Sequence, residues 1–310
     1  MEVHQLQILR ELGALGSVAA VATLFDVTPS AVSQHLAALQ RGFTTPLTQK
    51  QGRTLVLTDA GRVLADAGAE VIEAIAAARS AVEEFEQSAR GTVTVSGFHS
   101  AGQALFGSLL TELGKRAISP QVRFTDEDVA QDDFPALTGR YDLVIAHRSQ
   151  HSPSWPTTGL RSINLAQEPL DLVLSATHEL ADRPALSPQQ VAGQQWVISR
   201  GGYSPDDLLG AIAAVANRNI DIVHRINDYG AVAAVVAASR AVGVVPRYTS
   251  IAVRNDNVVL RPLTGISASR SIDLLARPEN LRRRSVRVVA TALGRVVAQL
   301  IDEREARSAG

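Results

Sequence analysis

The chain has 310 residues, a net charge of −1 at pH 7, 45% hydrophobic and 20% charged residues, and no cysteine. A chain of this length is too long to fold around a single hydrophobic core and suits a small domain joined to a larger one. The absence of cysteine excludes disulfides, thiolate metal sites and thiol-based redox sensing. No stretch approaches the roughly 20 apolar residues of a membrane span, and the polar start does not resemble a signal peptide. We therefore expect a cytoplasmic protein without a membrane partner.

The first 58 residues contain three short helical patterns followed by an alternating stretch. Leucines at helical spacing form the first pattern, and we expect Gly13 and Gly16 to end it. Ser17 is placed to cap the second helix. Thr28 is placed to cap the third, with Pro29 at its first position, where the missing N–H costs nothing. Two such helices joined by a tight turn form a helix-turn-helix, whose second helix enters the major groove of DNA.

The third helix and the hairpin after it carry the candidate DNA contacts. Apolar side chains of this helix face inward and its other side is polar, and residues 44–58 predict a β-hairpin wing. Gln34 can pair bidentately with adenine, and Ser33 can reach a base edge or a phosphate. Cations in the wing suit phosphate or minor-groove contact, whereas the alternative is that all these side chains are merely solvated. The candidates are Thr28, Pro29, Ser30, Ser33, Gln34, His35, Lys50 and Arg53.

A long helix is predicted from Asp59 to about Ser88. Its apolar positions repeat every seven residues, as in a coiled coil, and a seam of this kind needs a partner helix. Residues 1–62 carry five basic and four acidic side chains, so one subunit should bind DNA weakly and needs a linked second module. We therefore predict dimerisation through residues 59–88. The seam consists of Leu64, Val71, Ala78 and Phe85 in one register and Gly68, Ile75 and Val82 in the other.

From Gly91 onward, strand and helix patterns alternate, which predicts an α/β domain with a mainly parallel sheet. The expected strands are 92–96, 122–125, 142–147, 170–175, 195–199, 221–226, 242–245, 258–263 and 271–277. The expected helices are 103–116, 205–217, 229–240 and a final helix from about 282 to 303.

The N-terminal stretch resembles the LysR family of bacterial regulators. The matching segments are LQILRELGALGSVAAVATLFDVTPSAVSQHLAALQ and TPLTQKQGRTLVLTDAGRVL. They follow the family's order of a leucine-rich helix, Gly-Ser, Ala-Val-Ser, Pro-Leu and Leu-Thr-x-Ala-Gly. Further along, YDLVI and GVVP resemble the family's later Leu-Asp-Leu-Ala-Ile and Gly-Val-Ala-Leu-Pro. Gln40 departs from the usual Glu, and 42–45 and 48–50 depart from the usual wing.

This resemblance implies three parts of the chain. They are a winged helix-turn-helix at 1–58, a linker helix at 59–90 that pairs antiparallel with another subunit, and an effector-binding domain at 91–305. The last resembles two-lobed periplasmic binding proteins, with lobe I at about 91–165 and 266–305 and lobe II at about 166–265. The partners implied are double-stranded DNA, a small-molecule effector and further copies of the chain, as a homodimer or homotetramer.

A ligand of a two-lobed α/β domain binds between the lobes, at carboxyl ends of strands and N-termini of helices. Ser100, a hydroxyl at a helix start, is the first candidate. Arginines nearby suit a carboxylate, but the acidic segment 126–128 suits an amine, so the ligand class stays open. The candidates, some from strand ends and some from the resemblance, are Phe98, His99, Ser100, Ala101, His147, Arg148, Arg200, Gly201, Gly202, Asn227, Asp228 and Tyr229.

We interpret the chain as a DNA-binding transcriptional regulator whose promoter binding or activation responds to a small molecule, with no cofactor or metal. An enzyme is not expected, because His147 and His151 lack the HExxH context and neither a Gly-x-Ser-x-Gly elbow nor a P-loop is present. The alternative is a solute-binding or enzymatic α/β protein with a fused helix-turn-helix. The basic run 282–287 is interpreted as a solvated helix start, with DNA contact as its alternative.

Overall fold

A computed structural model describes residues 1–52, 54–85, 89–150, 152–201, 206–250 and 255–308. An N-terminal helical domain with a β-hairpin comes first, followed by a 27-residue helix and a two-lobed α/β domain. This confirms the predicted fold class. Among the described residues, none of the helices has both the length and the hydropathy to cross a bilayer.

The N-terminal domain forms the three predicted helices, and side-chain caps begin two of them. The backbone N–H of Ala20 donates to the Ser17 hydroxyl at 3.3 Å, and that of Ala31 donates to Thr28 at 3.2 Å. Caps of this kind satisfy donors that the first turn of a helix leaves unpaired. The elements are α1 (Val3–Leu15), α2 (Val18–Phe25), α3 (Pro29–Gln40), β1 (Thr48–Gln51), β2 (Thr54–Leu57) and α4 (Asp59–Phe85).

The expectation that Gly13 ends the first helix is wrong. Gly13 lies inside α1, and the helix ends at Gly16, whose φ of 62° is left-handed. A Cβ on Gly13 would lie 2.8 Å from the Leu57 side chain of β2. Gly13 therefore serves close packing of α1 against the wing rather than helix termination.

The motif Leu-Thr-x-Ala-Gly joins the wing to α4. The Thr58 hydroxyl donates to the Pro46 carbonyl at 2.6 Å and accepts from the Gly61 N–H at 3.1 Å, so it ties the wing and caps α4 at once. Gly61 packs directly on the backbone of Leu47, where an added Cβ would lie 2.0 Å from the carbonyl oxygen. The threonine and the glycine are both needed for this turn.

One side of α4 packs against its own domain and the other is exposed. Gly68 faces α1, where an added Cβ would lie 3.2 Å from the Leu6 side chain, and Ile72 is buried. The predicted seam is therefore partly wrong, since Gly68 is buried within the chain and Leu64 and Ile75 are half-buried there. The Phe85 side chain lies outside the described residues. The exposed apolar side chains among the described residues of α4 are Val63, Ala67, Val71, Ala74, Ala78, Ala81 and Val82.

The α/β domain is built on one mixed sheet in the order β4-β3-β5-β11-β6-β9-β7-β8, with β10 on β6. Its strands are β3 (Thr92–Gly97), β4 (Gln121–Asp126), β5 (Leu143–Ser149), β6 (Arg161–Ser175), β7 (Gln195–Ile198), β8 (Asp221–Arg225), β9 (Val242–Pro246), β10 (Val258–Pro262) and β11 (Ser269–Ala276). Its helices are α5 (His99–Ala101), α6 (Gly107–Gly114), α7 (Phe134–Leu137), α8 (Pro188–Val191), α9 (Asp206–Ala216), α10 (Tyr229–Ala237), α11 (Pro278–Arg282) and α12 (Arg284–Ser308). A π-helical segment, Gly102–Phe106, joins α5 to α6.

The prediction of a mainly parallel sheet is wrong for its centre. β3 pairs in parallel with β4 and β5, and β7 with β8 and β9. β6 and β11, by contrast, run antiparallel to each other and to their other neighbours. The reason is that β6 continues for 15 residues from one lobe into the other, so it is not part of a local βαβ unit.

Each lobe has its own apolar core. The core of lobe I lies between β3, β5, β11 and helices α6 and α12, and includes Phe134 and Leu275. The core of lobe II lies around β6, β7 and β9 and is centred on Trp196, which is fully buried. The chain passes between the lobes on β6 near residues 168–170 and before β11 near residues 268–270. These two crossings set the position of the cleft between the lobes.

We predict that Gly61→Ala destabilises the N-terminal domain by about 3 kcal/mol, because overpacking against a backbone carbonyl cannot be relieved by a side-chain rotation. Urea unfolding followed by circular dichroism measures the change. The matched control is Gly294→Ala in α12, where an added Cβ meets no atom within 4 Å. The control should be neutral or slightly stabilising, since alanine favours helix. Equal stability of the two variants would contradict the packing described for Gly61.

Candidate functional site

The polar side of α3 is exposed and its apolar side is anchored. Val32, Leu36 and Leu39 are buried in the core of the N-terminal domain. Five of the predicted contacts lie on the open side, so the structure brings them together on one surface. These are Thr28, Pro29, Ser30, Ser33 and Gln34.

Two of the predicted α3 side chains have partners within the chain. The Ser33 hydroxyl donates to the Pro29 carbonyl at 3.0 Å, one turn back. The His35 ring is half-buried and meets His4 of α1 edge-on, with 4.9 Å between ring centroids, and His4 meets Phe25 in the same way. Gln34 is exposed and is thus the longest polar side chain on the open surface of α3. His35 contributes mainly to packing α3 on α1.

The wing is held to α3 by Gln40. Its amide nitrogen donates to the carbonyls of Phe43 and Thr45 at 3.1 and 3.0 Å, and its oxygen accepts from the Leu47 N–H at 2.8 Å. A glutamate could accept the last bond but could not donate the first two, so the departure to Gln fits this loop. Lys50 is exposed in β1, whereas Arg53 lies outside the described residues.

The basic run 282–287, at the junction of α11 and α12, forms ion pairs within the chain. Arg282 pairs with Glu73 of α4 at 2.8 Å, and Arg283 pairs with Asp142 at 2.7 Å. The hydroxyl of Ser80 also donates to the Arg282 carbonyl. Arg282 therefore ties the linker helix to lobe I, and Arg283 is paired within lobe I.

A second candidate site lies in the cleft between the lobes, where residues from both lobes converge. Its lining consists of Phe98, His99, Ser100, Asp128, His147, Ser199, Asn227, Tyr229 and Arg270. The cavity between these side chains has a volume of only about 20 Å³, which is enough for about one water molecule. The cleft is therefore closed in this structure.

A buried ion pair forms the floor of this cleft. Arg270 of β11 is 1% exposed and Glu168 of β6 is fully buried, with 2.9 Å between Nε and Oε2. The remaining oxygen of Glu168 accepts the backbone N–H groups of Tyr248 and Thr249 at 2.8 and 2.6 Å. A charge pair out of water is retained only when its other donors and acceptors are also satisfied, and here they are.

Arg270 also reaches both walls of the cleft. Its Nη2 donates to the Thr249 hydroxyl at 2.9 Å and lies 3.4 Å from the Ser100 hydroxyl at the start of α5. Its guanidinium lies 4.9 Å from the ring centroid of Phe98, a cation–π distance. It also hydrogen-bonds with Tyr229, whose pKa is raised by burial. One side chain thus contacts the N-terminal turns of α5 and α10.

The cleft also contains a buried histidine, His147. It is 4% exposed, and its ring packs edge-on against Phe98 and Phe134. Within the described part of the chain its Nδ1 has no hydrogen-bond partner. Burial, with a smaller contribution from the charge of Arg270, holds the pKa of His147 well below its ordinary value. The imidazole is therefore neutral and can donate to or accept from a ligand.

Direct contacts close the rim of the cleft. His99 of lobe I contacts Asp126 at 2.7 Å and Asp228 of lobe II at 3.0 Å. The hydrogen bond with Asp126 is the main cause that raises the pKa of His99, and the charges of both carboxylates add to it. Asn227 of lobe II reaches Asp128 of lobe I at 3.3 Å. Hydrogen bonds and charge, rather than apolar packing, thus hold the lobes together at the rim.

Several predicted cleft residues lie elsewhere. Ala101 is buried in the core of lobe I, and Arg148 turns toward Asp273, 3.3 Å away. Arg200 and Gly201 are exposed beside the cleft, while Gly202 lies outside the described residues. Asp228 caps α10 through the Ala231 N–H and meets His99, so it lies at the rim.

Sequence reasoning missed Arg270, Glu168 and Thr249. The sequence did contain one signal. Each of the segments 168–174 and 270–276 begins with a charged residue and continues as a mainly apolar strand. That signal does not say that the two charges face each other, because their pairing depends on the register of β6 against β11.

Comparisons with known proteins cover both parts of the chain. Residues 3–62 match the family "Bacterial regulatory helix-turn-helix protein, lysR family", and residues 86–298 match "LysR substrate binding domain". The chain is 21% identical over 288 residues to a probable RuBisCO transcriptional regulator of Trichormus variabilis, covering 91% of this chain and 85% of that one.

Solved structures show the same fold. Full-length OxyR of Pseudomonas aeruginosa is similar with a TM-score of 0.67 at 15% identity, covering 94% of each chain. Full-length CbnR, solved with its target DNA, is similar with a TM-score of 0.52 at 19% identity, covering 96% of this chain and all of that one.

We predict that replacing His147 by Phe makes stability less sensitive to acid. A histidine whose folded pKa is depressed takes up its proton more readily in the unfolded chain, so it lowers stability as pH falls below about 6.5. Urea unfolding at pH 7.5 and pH 5 should show a smaller loss for His147→Phe than for the unmodified chain. His224→Gln, on the exposed face of β8, is the control and should keep the original loss. An unchanged loss in His147→Phe would mean that His147 is not held neutral.

Proposed function

Since the chain belongs to the LysR family of bacterial transcriptional regulators, we propose that α3 binds promoter DNA and that a small molecule in the interlobe cleft controls the response. The observation that carries the proposal is an exposed polar face of α3 on an anchored helix, in one chain with a two-lobed domain. Its cleft holds a buried histidine whose Nδ1 has no hydrogen-bond partner among the described residues. The domain limits 1–58, 59–90 and 91–305 belong to this proposal, as does action in the cytoplasm and without catalysis.

The DNA contacts follow from the placement of α3 and the wing. Gln34 is positioned to read a base edge, and an exposed glutamine suits adenine in the major groove. Ser30 and Ser33 are short and suit phosphate or water-mediated contact, although the Ser33 hydroxyl already donates within the helix. Lys50 supplies a phosphate contact from the wing. One weakly charged domain gives little affinity, so the function requires two linked copies.

The exposed stripe on α4 supports that pairing. Val63, Val71 and Val82 are 70%, 42% and 59% exposed, and alanines fill the positions between them at spacings of three and four residues. Small side chains at such spacing pack well against a second helix. We place the subunit contact on this stripe, opposite the face that holds α1. A molar mass in solution equal to one chain would exclude it.

The effector is proposed to bind among Ser100, His147 and Tyr229. These groups come from both lobes and surround the cleft, and each can donate or accept a hydrogen bond. Because Arg270 contacts Ser100 and Tyr229 and pairs with Glu168, a ligand that displaces either contact acts directly on β6 and β11. These two strands carry the connections between the lobes.

We predict separable effects of two DNA-binding variants. Gln34→Ala should lose about 1–3 kcal/mol of binding to a DNA fragment from upstream of the protein's own gene and discriminate less against altered sequences. Lys50→Ala should weaken all sequences equally and reduce the slope of log affinity against log salt by about 1. Gel shifts over a salt series measure both.

The matched control for both variants is Lys115→Ala, on lobe I and far from α3, which should bind as the unmodified chain does. Loss of binding in the control, or normal sequence discrimination in Gln34→Ala, would contradict the assignment of α3.

We predict that Ser100→Ala weakens the response to a ligand without changing DNA binding in its absence. Thermal unfolding with small carboxylates, amines and uncharged polar metabolites identifies compounds that raise the midpoint, since a ligand of the folded state stabilises it. Loss of one hydrogen bond of about 1 kcal/mol should weaken such a compound about fivefold. Ser108→Ala, exposed on α6, is the control. An equal response in both variants would move the effector away from the cleft.

A further inference from the structure

The DNA-binding domain is joined to lobe I by a buried ion pair. Glu11 belongs to α1, yet it is only 1% exposed because the effector domain covers it. Both of its carboxylate oxygens accept from Arg277, which follows directly after β11, and the Oε2–Nη2 distance is 2.5 Å. A bidentate guanidinium–carboxylate pair fixes orientation as well as distance.

A second pair beside the first has the opposite polarity. Arg10 of α1 contacts Glu279 at the start of α11 at 2.8 Å, so a cation and an anion on α1 meet an anion and a cation on lobe I. The side chains of Arg10 and Glu279 are 14% and 13% exposed, so solvent screens them little. The arrangement defines one register of α1 on lobe I, because a shift by one residue would bring like charges together.

The surface of lobe I is shaped to receive this pair. A Cβ on Gly139 would lie 3.0 Å from Arg277 Nη2 and 3.2 Å from Glu11 Oε2. A side chain at this position would have to displace the Arg277 guanidinium and the Glu11 carboxylate by a few tenths of an ångström, so glycine lets both groups keep their paired positions. On the other side of α11, Arg282 pairs with Glu73 of α4. Helix α11 is therefore held from both α1 and α4.

One strand connects this contact to the cleft. β11 runs between β5 and β6 and is buried from Arg270 to Ala276, with Arg270 at the cleft and Arg277 immediately after its last residue. A strand paired on both sides is stiff, so its two ends move together.

We propose that Arg10, Glu11, Arg277 and Glu279, seated over Gly139, form an interdomain clamp that docks the DNA-binding domain on lobe I of the same chain. The clamp fixes the direction of α3 relative to the effector domain. Movement at Arg270 reaches the DNA-binding domain through β11 and this clamp. The docking itself does not depend on the proposed DNA or effector binding.

The test measures the distance between the two domains in the full-length chain. Because the sequence has no cysteine, Ala19→Cys on α2 and Ser108→Cys on α6, both exposed, carry the only two spin labels. Labelled chain is mixed with excess unlabelled chain, so that distances within one subunit dominate. The unmodified clamp should give one narrow distance distribution without DNA or ligand.

Charge reversal should release the clamp and a swap should restore it. Glu11→Arg and Arg277→Glu, each alone, should broaden the distribution and shift it to longer distances, whereas the double variant should return it to the original. Lys115→Glu is the control for a reversed charge, because Lys115 is exposed and its partner Glu112 lies within lobe I, and it should change nothing.

A variant that changes no charge keeps the test decisive if the charge-reversal variants misfold. Gly139→Ala has ordinary backbone angles and should shift the distribution by steric displacement of the pair. Original distributions in Gly139→Ala and both single reversals would overturn the clamp. So would a double variant that behaves like either single one. Gel shifts on the same samples show separately whether DNA binding survives.

Discussion

The buried contact between Arg270 and Glu168 is the constraint on which the two-lobed domain depends. Neither side chain is accessible to water, so each charge must stay paired with the other. This requirement fixes the register of β6 against β11 where the chain passes between the lobes. The same contact reaches Thr249 in lobe II and Ser100 in lobe I. Any opening of the cleft must therefore preserve this pair or compensate both charges in another way.

Residues near each other in the chain were predictable and residues far apart were not. Ser17 and Thr28 act on N–H groups three residues away, so their capping roles follow from sequence, as does the helix-turn-helix built on them. Arg270 and Glu168 lie 102 positions apart, and no local pattern indicates that they meet. The antiparallel centre of the sheet escaped prediction for the same reason, because alternation of strands and helices does not reveal a strand shared by two lobes.

The candidate sites show the same division. On α3, helical periodicity alone separates the buried Leu36 from the exposed Gln34, and the structure agrees. In the cleft, strand ends indicated Ser100 and His147, and both line it in the structure, since carboxyl ends of parallel strands meet at one edge. Direction of the side chain was not predictable: Arg148, one residue beyond His147, faces the opposite side of β5 and meets Asp273.

Helix α4 has two faces with different roles. One face packs against α1 and lobe I, and the other carries the exposed apolar stripe. Every residue of an α-helix advances about 100° around its axis. Loss or gain of one residue between Gly68 and Ser80 would rotate the contacts with Arg282 away from those with Leu6, and split the valine stripe in two. Even a whole heptad would keep the angle but move one set of contacts about 10 Å along the axis, so the length of this stretch acts as a fixed gauge between the two domains.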